Sequence, residues 1–224
     1  MQILENVHQV PKVMANAYLL VDPDGLTLID AGMPRSEKKI LAYVAKLGKS
    51  PGDLKRILIT HADIDHFGSL AALAAATGAD VYASAIEAEA IAAGRSSREI
   101  APRNPLFRLL RPFMKARPFQ VEGVVGDGAI LPVLGGLRAV DSSGHTPGHL
   151  SWYAPAAGVL FCGDSMVSDA AGLHGSRPGL TADEALAREA VQRQAALGAR
   201  IVCPGHGPVI RDAAGKFPTP SATA

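Results

Sequence analysis

The stretch I57-L-I-T-H-A-D-I-D-H-F-G-S-L70 decides the reading of this chain. An apolar run ends in four potential metal ligands, His61, Asp63, Asp65 and His66, and a run of small residues follows. "LKRILIT" has the composition of a buried strand, and "GSLAALAAATG" that of a helix packed closely on a sheet. Two histidines and two carboxylates are therefore delivered at the end of a strand, where a turn exposes side chains to a common point.

The surrounding chain repeats the arrangement. "NAYLLVDPDGLTLIDAG" predicts two strands joined by a turn at Asp22 to Gly25, and "EKKILAYVAKLG" predicts a helix ending at Gly48. "DVYAS" is a further strand, and Ser84 with Glu87 has capping-box spacing. In the second half "GVLFCGD" and "RIVCPGHG" are strands on either side of the helix in "TADEALAREAVQRQAALGA", where Thr181 and Glu184 suggest a second capping box. Each half thus has an apolar strand ending in Asp, a helix, and an apolar strand ending in His. Two similar strand–helix units with converging strand ends imply an α/β layered fold with sheets inside and helices outside.

The 224 residues are 48% apolar and 19% charged, with a formal net charge of +1, which describes one globular domain over 1–215 and a flexible tail over 216–224. Neither the charge balance nor the 5% aromatic content suggests a nucleic-acid or membrane partner. "MQILENVHQVPKV" lacks a secretory pattern, no segment is long and apolar enough to span a bilayer, and Cys162 and Cys203 lie in apolar runs as buried reduced thiols, so a cytoplasmic location is expected. Between Arg95 and Arg117 the texture shifts to seven basic residues and one acid, Glu99. Leu106, Leu109, Leu110, Phe113 and Met114 share a helical face there, interrupted at Pro112. Residues 95–118 can be read as a core-facing helix, or as an insertion that covers a substrate site or forms a homodimer contact.

Asp30, His61, Asp63, Asp65, His66, His145, Asp164 and His206 all stand at strand ends, and the last histidines lie in the tight loops "SSGHTPGH" and "CPGHGP". Four of the seven histidines placed in this way, with ordered carboxylates, are hard to explain by core packing. Imidazole and carboxylate together suit Zn, Fe, Mn or Co, and the absence of cysteine argues against a closed structural zinc site. The set exceeds the needs of one tetrahedral ion and matches two ions sharing a carboxylate. Such a pair can hold a bridging hydroxide, polarise a carbonyl or phosphoryl oxygen and steady a leaving group.

In order and spacing, "LIDAG", "THADIDH", "GHTPGH", "CGD" and "PGHG" resemble the metallo-β-lactamase superfamily, from Asp30 to His206. The resemblance implies a four-layer αβ/βα sandwich with two pseudo-symmetric halves. It implies a first metal held by His61, Asp63 and His145, a second held by Asp65, His66 and His206, and Asp164 bridging them. Asp65 and Asp164 become the catalytic carboxylates that fix the ions, and Asp30 supports the ligand loop. His149 falls outside the motif ligands and reads as structural. His8 reads as a surface or structural residue and His174 as a loop residue.

Residue 63 departs from the family's usual His-x-His-x-Asp-His. An aspartate there makes the first site harder and more negative, which admits Fe or Mn beside the expected Zn. The flavodiiron branch has glutamate at this position and binds two irons, but its partner domain is missing from this chain. The resemblance implies a dinuclear metallo-hydrolase for a small ester, thioester or lactone substrate, with the glyoxalase II and lactonase branches nearest in size and layout. An iron-dependent oxidase or dioxygenase on the same fold is the alternative, and a metal-stabilised binding module with weak catalysis is the third reading.

Overall fold

The computed structural model describes residues 1–98 and 115–219. They form two compact units, Met1–Val125 and Gly126–Ala224.

The first unit is built on seven strands in sequential order: β1 (Gln2–Leu4), β2 (Val7–Gln9), β3 (Tyr18–Asp22), β4 (Gly25–Ile29), β5 (Leu54–Leu58), β6 (Asp80–Ala83) and β7 (Gly123–Val124). β1 to β4 pair antiparallel, with the β3–β4 hairpin closing at Asp22 opposite Gly25, while β4, β5, β6 and β7 run parallel. Parallel strands need crossovers. α1 (Glu37–Lys46) carries the chain from β4 to β5, and α2 (Ile64–Phe67) with α3 (Leu70–Thr77) from β5 to β6. α4 (Ala85–Ala92) follows β6.

α1 buries Ile40, Tyr43 and Val44, the i, i+3, i+4 stripe of an amphipathic helix, in one cluster with Leu28, Ile57 and Val81 of the sheet and Leu70 and Leu73 of α3. α3 is almost entirely alanine and leucine between Ser69 and Gly78, so its backbone can lie close to the sheet. The expected basic segment falls largely in 99–114, outside the described residues. At its near end Ala116 is buried in this same core.

The second unit has a six-stranded sheet in the order β15-β14-β11-β10-β9-β8, from β8 (Ile130–Leu131), β9 (Leu137–Asp141), β10 (Leu150–Ala154), β11 (Val159–Gly163), β14 (Ile201–Pro204) and β15 (Ile210–Arg211). β12 (Met166–Asp169) and β13 (Gly172–Gly175) form a separate antiparallel hairpin. β11 and β14 are parallel, and α5 (Glu184–Ala195) lies between them in sequence. The β4–α1–β5 step of the first unit is therefore repeated as β11–α5–β14 in the second, with Asp30 and Asp164 just after the first strands. The cap of α5 differs from the sequence expectation. Asp183, not Thr181, is the N-cap, accepting hydrogen bonds from the N–H groups of Ala185 and Leu186. Thr181 instead donates to the Arg177 carbonyl, 2.8 Å away.

Of the tail, Phe217 packs against the second unit's core and the Pro218 carbonyl accepts from Gln192 Nε2 at 3.3 Å. Residues 220–224 lie outside the described residues. No helix among the described residues is long and apolar enough to cross a membrane.

Candidate metal centre

In the first unit the chain leaves β5 and continues alongside β6, with Ile59 N–H donating to the Tyr82 carbonyl. It then turns through Thr60 to Asp63 into α2, whose single turn is held by the His66 and Phe67 N–H groups on the Asp63 carbonyl. His61 and His66 are fully buried, and their ring centroids are 4.1 Å apart. Each ring is fixed through Nδ1. His66 Nδ1 is 2.8 Å from Asp30 Oδ2, and His61 Nδ1 is 3.0 Å from Thr60 Oγ1. Thr60 in turn donates to Asp30 from its hydroxyl at 2.8 Å and from its backbone N–H at 2.9 Å. An Nδ1 proton directed at Asp30 or at a hydroxyl leaves the lone pair on Nε2, the tautomer a metal-ligating histidine needs. Asp30 serves both rings from an unusual backbone: its φ of 59° is left-handed, a conformation that aspartate tolerates better than most residues.

The carboxylates differ in their surroundings. Asp65 Oδ2 lies 4.0 Å from His66 Nε2, and Asp63 Oδ2 lies 3.6 Å from His61 Nε2. Asp63 also receives hydrogen bonds from Ser96 and Arg98. Buried Glu87 accepts from the Ala62 N–H at 2.7 Å and from Ser97 Oγ. Of the predicted capping box, the Ser84 half is present, with its hydroxyl accepting from Glu87 N–H, while the Glu87 carboxylate supports the ligand loop.

In the second unit His145, Asp164 and His206 come from three loops. His145 Nδ1 is 2.9 Å from Ser176 Oγ, and its carbonyl accepts from Ala182 N–H. The loop is pressed onto α5 at Gly144, where a Cβ would come within 2.3 Å of the Ala187 nitrogen. His206 is located by its carbonyl, which accepts from Ser168 N–H. Gly207, at φ 93°, follows it where a Cβ would stand 1.8 Å from the Ser168 oxygen, so only glycine fits. Asp164 Oδ2 is 3.7 Å from His145 Nε2 and 3.4 Å from His206 Nε2.

Two donors each about 2.1 Å from a tetrahedral ion stand roughly 3.4 Å apart. The Nε2-to-carboxylate separations within each unit are of that size, and too long for good hydrogen bonds. The donor set fits divalent metal ions.

His149 has a structural role, as its position outside the motif implies. Nε2 accepts from the Asp164 N–H at 3.1 Å, and Nδ1 lies 2.7 Å from Ser142 Oγ. His8 is buried against Tyr43, and His174, on β13, pairs with Asp169 on the surface. The sequence reading missed Thr60, Glu87, Ser96, Arg98 and Ser176. Only Thr60, next to His61, carried a local signal.

A family model described as the metallo-beta-lactamase superfamily matches residues 10–206. The chain belongs to this superfamily. The probable metallo-hydrolase YflN of Bacillus subtilis is 26% identical over 223 residues, 91% of this chain and 84% of its own length. The hydroxyacylglutathione hydrolase of Rhodobacter capsulatus is 34% identical over 116 residues, 51% of this chain, and the match spans only 35% of that enzyme. Among solved structures, a Cronobacter sakazakii metallo-beta-lactamase with a HARLDQ motif superposes with a TM-score of 0.71 at 27% identity, covering 92% of this chain and 76% of that one. The expected fold is confirmed, and the relatives named as a metallo-hydrolase and a hydroxyacylglutathione hydrolase support a metal-dependent hydrolase.

Proposed function

We propose that this superfamily member is a dinuclear hydrolase of small esters, thioesters or lactones, with His61, Asp65 and His66 of the first unit and His145, Asp164 and His206 of the second as the metal ligands. The observation that carries this reading is Asp164. One carboxylate oxygen faces the Nε2 atoms of both His145 and His206, as a ligand shared between two ions would. Two divalent ions, with zinc the expected pair, would supply a water nucleophile at neutral pH and an electrophile for the carbonyl oxygen.

The chain's own residues do the rest. Asp30 and Thr60 hold two imidazoles in the Nε2-ligating tautomer, and Ser176 orients a third. His149 keeps the Asp164 backbone in place. Asp65 is less buried than the two histidines beside it, so its carboxylate borders solvent and can take part in proton movement at the site. The hydroxyacylglutathione hydrolase relative supports a thioester among the candidate substrates.

The test is metal content by plasma mass spectrometry, joined to turnover of an ester, thioester and lactone panel. About two equivalents of metal and turnover abolished by His61→Ala, Asp164→Ala or chelation support the reading. Bound iron with oxygen consumption and no hydrolysis would overturn it in favour of redox chemistry.

A further inference from the structure

The aspartate at position 63 is not left as a bare anion. Oδ1 accepts from Ser96 Oγ at 2.6 Å and from Arg98 Nε at 3.1 Å, and Oδ2 pairs with Arg98 Nη2. This is a fork-to-fork guanidinium–carboxylate pair, the geometry in which arginine binds most selectively. It is largely withdrawn from solvent, with side chains 8% and 17% exposed. Three of the roughly four lone-pair positions of the carboxylate are therefore filled by protein donors. The arrangement is anchored along its length, because Ser97, between the two donors, holds Glu87, and Glu87 holds the Ala62 N–H. Residues 96–98 are tied side chain by side chain to the loop 61–63.

A carboxylate beside His61 would add one negative charge where an imidazole would add none. Arginine is permanently protonated, so Arg98 cancels that charge at contact distance. We propose that Arg98 is a positioning residue that sets metal preference: paired with Asp63, it makes position 63 electrically equivalent to a neutral residue, and the first site selects zinc over harder ions. This rests on the metal-centre reading given above and changes the expectation attached to Asp63. The tilt toward Fe or Mn belongs to an uncompensated aspartate, whereas this one is compensated by a residue 35 positions away.

The experiment is competitive loading. Metal-free full-length protein is equilibrated with equal zinc and manganese, and bound metal is counted by plasma mass spectrometry for the native chain, Arg98→Met, Asp63→Asn and the double variant. Thermal melting of the metal-free proteins reports folding. Arg98→Met should raise the manganese-to-zinc ratio on the order of tenfold, because it leaves the carboxylate bare. Asp63→Asn should lose metal from the first site, because it leaves a cation beside it, and the double variant should regain it. An unchanged ratio in Arg98→Met, or a double variant as metal-poor as Asp63→Asn, would overturn the proposal, the latter by making Asp63 an ordinary ligand. If Arg98→Met fails to fold, Arg98→Lys decides: a native ratio supports charge compensation and a shifted ratio overturns it. A native chain that takes up neither metal overturns the metal-centre reading itself, and this inference with it.

Discussion

Asp30 Oδ2 lies 2.8 Å from His66 Nδ1, and the same carboxylate oxygen accepts from the Thr60 hydroxyl that holds His61. One buried carboxylate thus orients two imidazoles, one directly and one through a threonine. Asp30→Asn keeps the side-chain shape and a residue type that tolerates the left-handed backbone, while removing the charge that fixes the His66 tautomer. Metal affinity in the variant, measured by competition with a chromophoric chelator, should fall about 10- to 100-fold. Thr60→Val should cost less, because the direct contact to His66 survives. Native affinity in Asp30→Asn would show that the histidines are positioned by packing alone.

Why this carboxylate could be anticipated and others could not is a matter of sequence distance. Asp30 and Asp164 close apolar strands, and His61 and His206 follow apolar strands, so an apolar run that stops at a ligand is visible in the residues themselves. The parallel pairing of β4 with β5, and of β11 with β14, follows from the helix between each pair. Glu87 could be read only as a helix cap, because nothing near it in sequence shows that Ala62 N–H needs an acceptor. In the sequence Arg98 is one of the basic residues of a charged segment. Its partner lies 35 residues earlier, and no periodicity connects them. At α5 the sequence pattern points to Thr181, whereas the Ala185 and Leu186 N–H groups donate to Asp183, two residues later. Charge compensation over long sequence separations is the part that local patterns do not carry.

A buried polar chain leads from α5 to Asp164. Gln194 Oε1 is 3.0 Å from Ser151 Oγ and 3.1 Å from Ser165 Oγ, and Ser151 Oγ is 2.7 Å from Ser142 Oγ, which bonds His149. Gln194, Ser151, Ser142 and Ser165 are all fully buried, so water cannot replace a lost partner. Gln194→Leu leaves serine hydroxyls short of a partner and should destabilise the protein by about 1–3 kcal/mol in urea unfolding of the metal-free form. If the variant is as stable as the native chain, the network contributes position and no net energy.

Cys162 and Cys203 sit on adjacent strands, β11 and β14, and both are fully buried. Burial pushes both thiols well above their ordinary range, and the charge of Asp164 adds to the effect at Cys162. Thiolate is the reactive form, so neither residue should react with a disulfide reagent at mildly alkaline pH while the unit is folded. Two equivalents should appear in denaturant. Because both strands precede ligand loops, labelling in native buffer should follow opening of this sheet, and added zinc should slow it by stabilising the folded state. Labelling that zinc leaves unchanged would show that the β11–β14 pair opens independently of the metal ligands at its end.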